Sequence, residues 1–190
     1  MVECLVIGCS GTGKSTFLDR LGSDTKLVPL PTLHPTVGTN IKDIQISRKT
    51  VVRLREVGGL MRQTWPKYYK DCKGIIYLGD TSNKMQVCSF QMELIKLLSN
   101  RELDTVPILL VLNKCDAPLS TSLEKLYAIT RLDKILACAT AKVKVIEMDL
   151  QTDLGVNEVI QWIKDNCKWK LTLMFYWCFI AEFIHLTFKA

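Results

Sequence analysis

Short apolar runs alternate along the chain with longer stretches whose apolar residues have helical spacing. The runs predict buried strands at 2–7, 51–57, 74–78, 106–112 and 143–148, and an alternating run predicts a half-exposed edge strand at 41–46. Helical spacing predicts helices at 15–21, 86–99, 122–129 and 156–167. Strands separated by helices indicate βαβ units, so we expect an α/β fold with a mostly parallel sheet covered on both faces.

Composition limits the class of protein. A chain of 190 residues with 48% hydrophobic and 23% charged residues fits one globular domain. The net charge is +6, but no dense basic run interleaved with aromatic residues occurs, so nucleic-acid binding is not expected. The eight cysteines lack zinc-site spacing and no secretory signal precedes the first strand, which predicts a cytoplasmic protein with free thiols.

The strongest chemical signal is a phosphate-binding loop between the first strand and the first helix. It reads Gly8-Cys9-Ser10-Gly11-Thr12-Gly13-Lys14-Ser15, a full GxxxxGK[ST] motif. In such a loop the backbone N–H groups and the helix N-terminus surround phosphate oxygens, the lysine reaches the β- and γ-phosphates, and the hydroxyl binds Mg²⁺. We therefore predict a nucleotide site that contains Gly8, Ser10, Gly11, Thr12, Gly13, Lys14, Ser15 and Thr16.

A second motif identifies the base. Asn113, Lys114 and Asp116 form NKxD directly after the predicted strand at 106–112. The Asp116 carboxylate can accept hydrogen bonds from guanine N1–H and the 2-amino group, a donor pair that adenine lacks. The Lys114 stem can cover the base, and Asn113 can tie this loop to the phosphate-binding loop. These residues predict guanine specificity.

Two further segments resemble switch loops that sense the γ-phosphate. Thr36 lies in a Pro/Gly-containing stretch before the edge strand, and its hydroxyl can bind Mg²⁺. Glu56 ends the next strand, where its carboxylate can hold Mg²⁺ through water, and the N–H of Gly59 can contact the γ-phosphate. Loss of that phosphate would release both loops, which is a switch mechanism.

Together these motifs resemble the Arf-like branch of the Ras superfamily over residues 2–167. The branch features are the stretch 35–38, the double glycine 58–59, and the stretch 65–69 that leads to Asp80. The resemblance implies a P-loop NTPase G domain with a six-stranded sheet and five helices, which binds GTP or GDP with Mg²⁺. It also implies a monomer that contacts effector and regulator proteins from Thr36 to Asn40 and from Gly59 to Tyr69.

The chain departs from that family at functional positions. Leu60 stands where the family places the glutamine that orients the attacking water, and Glu56 replaces the usual aspartate. Thr39 and Arg55 occupy two positions of the aromatic effector triad, so only Tyr68 matches. The family's N-terminal amphipathic helix is absent, so its membrane switch is not expected here.

The last guanine-binding loop is degenerate. The segment 138–140 resembles the family motif that contacts the guanine O6, but a whole strand separates it from the last helix. The segment 149–151 lies just before that helix, so Leu150 is the predicted nucleotide contact.

Two further groups of residues have open or structural roles. Trp65, Tyr68 and Tyr69 could form an effector surface or pack under the second switch. One set of residues fits a buried helix face: Met85, Met92, Leu94, Ile95, Leu97 and Leu98.

The end of the chain differs from the rest. The stretch 171–188 is almost wholly apolar, interrupted by Glu182 and His185. We expect a G domain over residues 1–168 and a hydrophobic tail over 169–190. Eighteen residues would just span a bilayer core of about 30 Å, although Glu182 would be costly there. Membrane insertion, packing on the fold and an aberrant end all remain open.

Three functions follow from these features. The first is a GTP-binding regulatory switch with very slow hydrolysis, because Leu60 cannot orient water. The second is a GTP-bound scaffold that never hydrolyses its nucleotide. The third is a P-loop nucleotide kinase, against which NKxD and the lack of an arginine-rich lid both argue.

Overall fold

The computed structural model describes residues 3–22, 35–47, 50–115, 117 and 122–167. One six-stranded sheet has the strand order β2-β3-β1-β4-β5-β6. Its β2 and β3 pair antiparallel, and each other neighbouring pair is parallel. The strands are β1 (Glu3–Gly8), β2 (Thr39–Ser47), β3 (Thr50–Val57), β4 (Gly74–Asp80), β5 (Ile108–Asn113) and β6 (Val143–Met148). The prediction of a mostly parallel sheet is confirmed.

Helices cover both faces of the sheet. They are α1 (Lys14–Leu21), α2 (Val87–Leu98), α3 (Leu123–Thr130), α4 (Leu132–Ala137) and α5 (Val156–Asn166), and 3₁₀ segments cover Gly59–Tyr68, Lys84–Gln86 and Arg101–Leu103. Apolar residues of α1 and α5 pack on one face, and those of the 59–68 segment, α2, α3 and α4 pack on the other. The short α4 is additional to the predicted helices, since six residues give little helical periodicity.

The core consists of two layers separated by the sheet. In β1, Cys4 and Val6 face the α1 and α5 side, and Leu5 and Ile7 face the α2 side; all four are fully buried. This two-sided burial is why β1 reads as a continuous apolar run. Because β1, β3, β4, β5 and β6 run parallel, their carboxyl ends meet at one edge of the sheet, where ligands bind in open α/β folds.

The interior face of α2 is narrower than the sequence predicts. Met92 and Ile95 of α2 are 59% and 42% exposed, and Met85, in the 3₁₀ segment before α2, is 91% exposed, so the prediction that they lie on a buried helix face is wrong. The helix instead buries one stripe, which contains Phe90, Leu94, Leu97 and Leu98. The continuous apolar sequence of this region hides which side faces the sheet, because apolar residues occur on both sides.

Cys167, the last described residue, packs at the edge of the sheet opposite to the carboxyl ends of the parallel strands. A Cβ placed on Gly74, the first residue of β4, would lie 3.0 Å from Cys167 Sγ and 3.6 Å from Cys4 Sγ. Hydrogen bonding to Cys167 and burial both raise the pKa of the Cys4 thiol well above its usual value. The seven cysteines in the described ranges are free thiols, as predicted.

None of the helices in the described ranges combines the length and apolar character that crossing a bilayer requires. The tail at 169–190 lies outside the described residues, as does Asp116.

Candidate nucleotide and switch site

The loop between β1 and α1 curls around a central space, as its motif predicts. Gly8, Gly11 and Gly13 have φ angles of 152°, 79° and 89°, a region that favours glycine. Thr12 is 1% exposed, and its hydroxyl donates to the Cys9 carbonyl at 3.1 Å. A side chain on Gly13 would collide with the Asn113 amide, whose Nδ2 would lie 2.6 Å from the new Cβ. The loop therefore needs glycine for both its conformation and its packing.

Lys14 is held at the centre of this loop. Its side-chain nitrogen donates to the carbonyls of Gly8 at 3.0 Å and Cys9 at 2.8 Å, and the residue is 5% exposed. Burial lowers the pKa of Lys14, and the nearby Glu56 carboxylate opposes that shift. A buried ammonium at this point supplies concentrated positive charge for an anionic ligand.

Three side-chain oxygens converge beside Lys14. The Ser15 hydroxyl donates to Glu56 Oε1 at 2.7 Å and lies 3.0 Å from Thr36 Oγ1, which donates to the same carboxylate oxygen at 3.3 Å. Glu56 is 1% exposed. Residues from the phosphate-binding loop, the 35–40 segment and the end of β3 thus form one oxygen cluster, which is the ligand type that Mg²⁺ prefers.

The double glycine connects both predicted switch segments to the phosphate-binding loop. The Gly58 N–H donates to the Gly38 carbonyl at 3.0 Å, and a Cβ on Gly58 would overlap the Thr36 carbonyl. A Cβ on Gly59 would overlap the backbone nitrogen of Ser10. The space available at these positions is therefore that of glycine, and movement of one switch segment must affect the other.

The NKxD loop is tied to the phosphate-binding loop by two side chains. Asn113 Nδ2 donates to the Thr12 carbonyl at 2.9 Å, as predicted, and Lys114 Nζ donates to the Gly11 carbonyl at 2.8 Å. Lys114 has a φ of 64°, a left-handed conformation that is uncommon for a lysine. These contacts form one wall of a cleft of about 340 Å³, lined by Ser10, Gly11, Gly13, Lys14, Ser15, Thr16, Pro35, Thr36, Glu56, Gly59 and Lys114.

The segment 149–151 lies between β6 and α5, at the edge of the sheet that carries the other loops. Asp149 is 2% exposed, and its carboxylate accepts hydrogen bonds from the backbone N–H groups of Gln151 and Thr152, each at 2.9 Å. Leu150 is buried in this turn. The similar segment 138–140 follows α4 and precedes β6, and its Thr140 bonds to Asp104. It therefore lies at the opposite end of β6, as its distance from the last helix predicts.

The aromatic residues after the double glycine divide between packing and surface. Trp65 and Tyr69 are 2% and 6% exposed and pack in the α2-side core. Tyr68 is half-buried, and the Arg55 guanidinium carbon lies 5.6 Å from the centre of its ring. Arg55 also makes a two-point ion pair with Glu3. Of the three aromatics, Tyr68 is thus the one available to an effector surface.

Two of the substituted family positions, Leu60 and Glu56, differ in exposure. Leu60, at the position of the family's glutamine, is 64% exposed and follows the glycine that touches Ser10. Glu56 is buried and keeps the contacts with hydroxyl groups described above. Glu56 in place of the family's aspartate thus retains an anionic oxygen in the cleft. Leu60 in place of the family's glutamine replaces an amide with an apolar side chain.

Sequence motifs did not identify two polar residues of the site. Asp80 Oδ2 lies 2.6 Å from Lys114 Nζ, and Gln86 Nε2 donates to the Ser10 carbonyl at 3.1 Å. The Gln86 Oε1 atom is buried and lacks a hydrogen-bond partner among the described residues. The two contacts join the end of β4 and the 3₁₀ segment Lys84–Gln86 to loops that are distant in sequence.

The fold and the cleft define a class of protein: a P-loop small GTPase, which is a GTP-binding regulatory switch. The chain belongs to the ADP-ribosylation factor family, whose model matches residues 1–167. The resemblance seen in the sequence is therefore confirmed.

Individual relatives agree with this assignment. Human ADP-ribosylation factor-like protein 16 is 33% identical over 168 residues, which cover 85% of this chain and 84% of that protein. ADP-ribosylation factor-like protein 3 of Saccharomyces cerevisiae is 29% identical over 164 residues, covering 84% and 82%. The Arl6 BBS3 small GTPase of Trypanosoma brucei, solved with the nucleotide analogue GppNp, has a TM-score of 0.73 at 20% identity and covers 87% of this chain and 96% of its own. That structural likeness shows the G-domain fold.

Proposed function

We propose that this chain exchanges GDP for GTP together with Mg²⁺, contacts partner proteins through its two switch segments, and hydrolyses GTP very slowly when alone. The observation that carries the proposal is the convergence of Ser15, Thr36 and Glu56 beside the buried Lys14. One cluster joins the phosphate-binding loop to a switch segment, so whatever binds there alters the position of that segment.

The residues of the cluster fit a magnesium ion that is shared with phosphate. Within the described residues, no group of three or more His, Cys, Asp or Glu side chains could hold a metal ion by itself. Mg²⁺ in nucleotide sites is bound by one or two protein oxygens, with phosphate and water completing the octahedron. We infer that Ser15 and Thr36 bind the ion directly and that Glu56 holds it through water. The bound ion would neutralise charge on the phosphates.

The phosphates would be held by the backbone of the loop and by Lys14. Glycines and threonines from Gly8 to Thr16 supply N–H donors, and α1 begins at Lys14, so its N-terminus faces the same space. Lys14 adds a fixed positive charge that needs little reorganisation when an anion arrives. The Gly59 N–H would donate a hydrogen bond to the γ-phosphate, since this glycine lies directly against Ser10.

Guanine would be recognised by three loops at the carboxyl edge of the sheet. Asp116 would accept hydrogen bonds from the base edge, and Lys114 would cover the ring. Asn113, whose amide nitrogen holds the Thr12 carbonyl, supports this loop against the phosphate site. Leu150 would contact the base from the loop before α5. The family and its guanine-nucleotide chemistry favour this function over a nucleotide kinase.

Slow hydrolysis follows from the side chain at position 60. Attack on the γ-phosphate needs a water molecule held in line with the bond to be broken, and a leucine has no donor or acceptor to hold it. Lys14 would still stabilise the developing negative charge. An unassisted GTPase turns over at about 10⁻⁴ s⁻¹, and we expect this one at or below that rate. A partner could supply the missing group in trans.

Leu60 also favours the second candidate, a scaffold that stays bound to GTP. One experiment tests both: nucleotide is extracted from purified protein and identified, and phosphate release from bound GTP is then followed in a single turnover with Mg²⁺. Guanine nucleotide with slow phosphate release supports the switch, and guanine nucleotide without measurable release supports the scaffold. Adenine nucleotide would overturn both proposals.

Partner binding would use residues 36–40 and 59–69. The Arg55–Tyr68 contact gives this surface a cationic and aromatic character at two of the family's three triad positions.

We also propose that the G domain is complete by Lys168, since α5 ends at Asn166 and Cys167 is fully buried against β1 and β4. A role for the tail at 169–190 in membrane association would be separate from nucleotide binding.

A further inference from the structure

Asp80, the last residue of β4, is a buried carboxylate that the nucleotide-binding motifs do not include. Its side chain is 5% exposed, and its Oδ2 atom lies 2.6 Å from Lys114 Nζ. A carboxylate with so little exposure needs partners for both oxygens, because an unpaired buried charge is costly.

The second oxygen of Asp80 has partners that fix the direction of the first. Oδ1 accepts from the Ser82 backbone N–H at 2.9 Å and from the Ser82 hydroxyl at 2.6 Å. This turn prevents the carboxylate from rotating, so Oδ2 is directed at the ammonium of Lys114. The ion pair therefore has a defined geometry, unlike a pair between two mobile surface side chains.

Lys114 depends on such a fixed partner. Its side chain is 38% exposed and its backbone φ is 64°. A lysine ammonium is strongly hydrated and sits on a flexible four-carbon stem, so an exposed lysine readily turns toward water. Two acceptors, the Gly11 carbonyl and Asp80 Oδ2, keep this ammonium against the cleft.

We propose that Asp80 is a positioning residue of the guanine site, holding the Lys114 ammonium so that the lysine stem stays over the base. This inference rests on the proposed guanine-nucleotide function of the cleft. Asp80 does not touch the nucleotide; it acts through Lys114. Its loss would free the stem to move between the base and solvent, and the nucleotide would dissociate faster.

A purely structural role predicts a different pattern. If Asp80 only stabilises the turn after β4, its loss would act through Ser82 and would not depend on Lys114. The Ser82→Ala variant removes the hydroxyl that holds Oδ1 and retains the ion pair, so it measures the contribution of the turn. Asp43→Asn is a matched control for loss of an ion pair, since Asp43 pairs with Arg53 at 2.8 Å on the outer strands.

The test measures dissociation of GDP that carries a fluorescent group on its ribose, from the full chain with Mg²⁺. The variants are Asp80→Asn, Asp80→Glu, Ser82→Ala, Asp43→Asn, Lys114→Met and the double variant Asp80→Asn with Lys114→Met. We expect Asp80→Asn to accelerate dissociation by about five- to tenfold, which is the scale of one charged hydrogen bond at a partly exposed site. Asp80→Glu, which keeps a carboxylate, should release GDP more slowly than Asp80→Asn but faster than the wild type. Asp43→Asn should release GDP at the wild-type rate.

The double variant is decisive. Once Lys114→Met has removed the ammonium, loss of Asp80 should cause no further acceleration. Equal effects of Asp80→Asn in both backgrounds, or wild-type dissociation from Asp80→Asn, would overturn the inference and leave the guanine site intact. If Asp80→Asn fails to fold, Asp80→Glu is compared in the two backgrounds in the same way. Failure of the wild type to bind labelled GDP would instead overturn the proposed function, and this inference with it.

Discussion

Gly59 lies so close to Ser10 that a single added carbon on the glycine would overlap the Ser10 backbone nitrogen. The contact joins the start of the second switch segment to the phosphate-binding loop. Both residues also line the nucleotide cleft. This backbone contact supports the proposal that the second switch segment senses the phosphate region.

Gly59→Ala should prevent this contact. The new methyl group must push the switch segment away from Ser10, and forced overpacking of this kind costs about 1–3 kcal/mol. We expect GDP binding to persist, while the change in tryptophan fluorescence between GDP and GTP is lost, because Trp65 Nε1 lies 3.4 Å from the Gly58 carbonyl. Leu60→Ala, at the exposed neighbour, is the control. A normal fluorescence change in Gly59→Ala would contradict the prediction.

Lys14→Ala should abolish tight nucleotide binding, because it removes a buried positive charge from the phosphate site. Ser15→Asn should weaken the metal site and leave the protein mostly GDP-bound or empty. Isothermal calorimetry with GDP and GTP, with and without Mg²⁺, measures both effects. Lys144→Ala, an exposed lysine on β6, controls for loss of charge. Unchanged GTP affinity in the first two variants would refute the role of the phosphate-binding loop.

Asp116→Asn should convert a guanine site into one that prefers xanthine. Xanthine carries a carbonyl at C2 where guanine has an amino group, so an amide can donate where the carboxylate could only accept. We expect weaker GDP binding and tighter XDP binding, measured by competition against labelled nucleotide. Equal affinity of the wild-type protein for ATP and GTP would rule out this account of base recognition.

Leu60→Gln should accelerate intrinsic hydrolysis. The site is 64% exposed, so the longer polar side chain fits without disturbing the core. A hydrogen bond that lowers the barrier by about 1.4 kcal/mol gives a tenfold higher rate. Single-turnover phosphate release is the measurement, with Leu60→Ala as the control that removes leucine without adding an amide. Fast hydrolysis by the wild type would mean that another residue positions the water.

A chain that ends at Lys168 should fold and bind GTP with the affinity of the full chain. Its last helix, α5, is amphipathic, and its buried residues Val159, Trp162 and Ile163 precede the truncation. Thermal unfolding with saturating GDP tests folding, and labelled nucleotide tests binding. A truncated protein that unfolds would show that the tail forms part of the core. Cell fractionation of both forms decides the membrane question.

The phosphate site could be predicted from sequence because its residues are contiguous. The loop from Gly8 to Ser15 contains both the glycines that shape it and the groups that point into it. The contact of Asn113 with the phosphate-binding loop was predictable because Asn113 belongs to a second contiguous motif, NKxD, which directly follows a strand. Its side-chain amide donates to the Thr12 carbonyl, which belongs to the predicted partner loop.

Contacts between distant segments could not be predicted in the same way. The Asp80–Lys114 pair depends on β4 lying beside β5, with Asp80 opposite Asn113 in the register, and no local pattern encodes that pairing. The buried face of α2 was predicted too broadly for a related reason. Met92 and Ile95 are apolar, but which side of the helix meets the sheet depends on packing by Phe90 and Leu94.

The packing of Cys167 beside Cys4 and Gly74 has a practical consequence for handling the protein. Cys167 lies at the edge where β1 and β4 begin, and β1, six residues long, separates that edge from the phosphate-binding loop by about 20 Å. A biotin or fluorophore attached at the end of a chain truncated at Lys168 would therefore lie far from the cleft. Immobilisation of the truncated chain through this end is thus the orientation suited to measuring nucleotide exchange on a sensor surface.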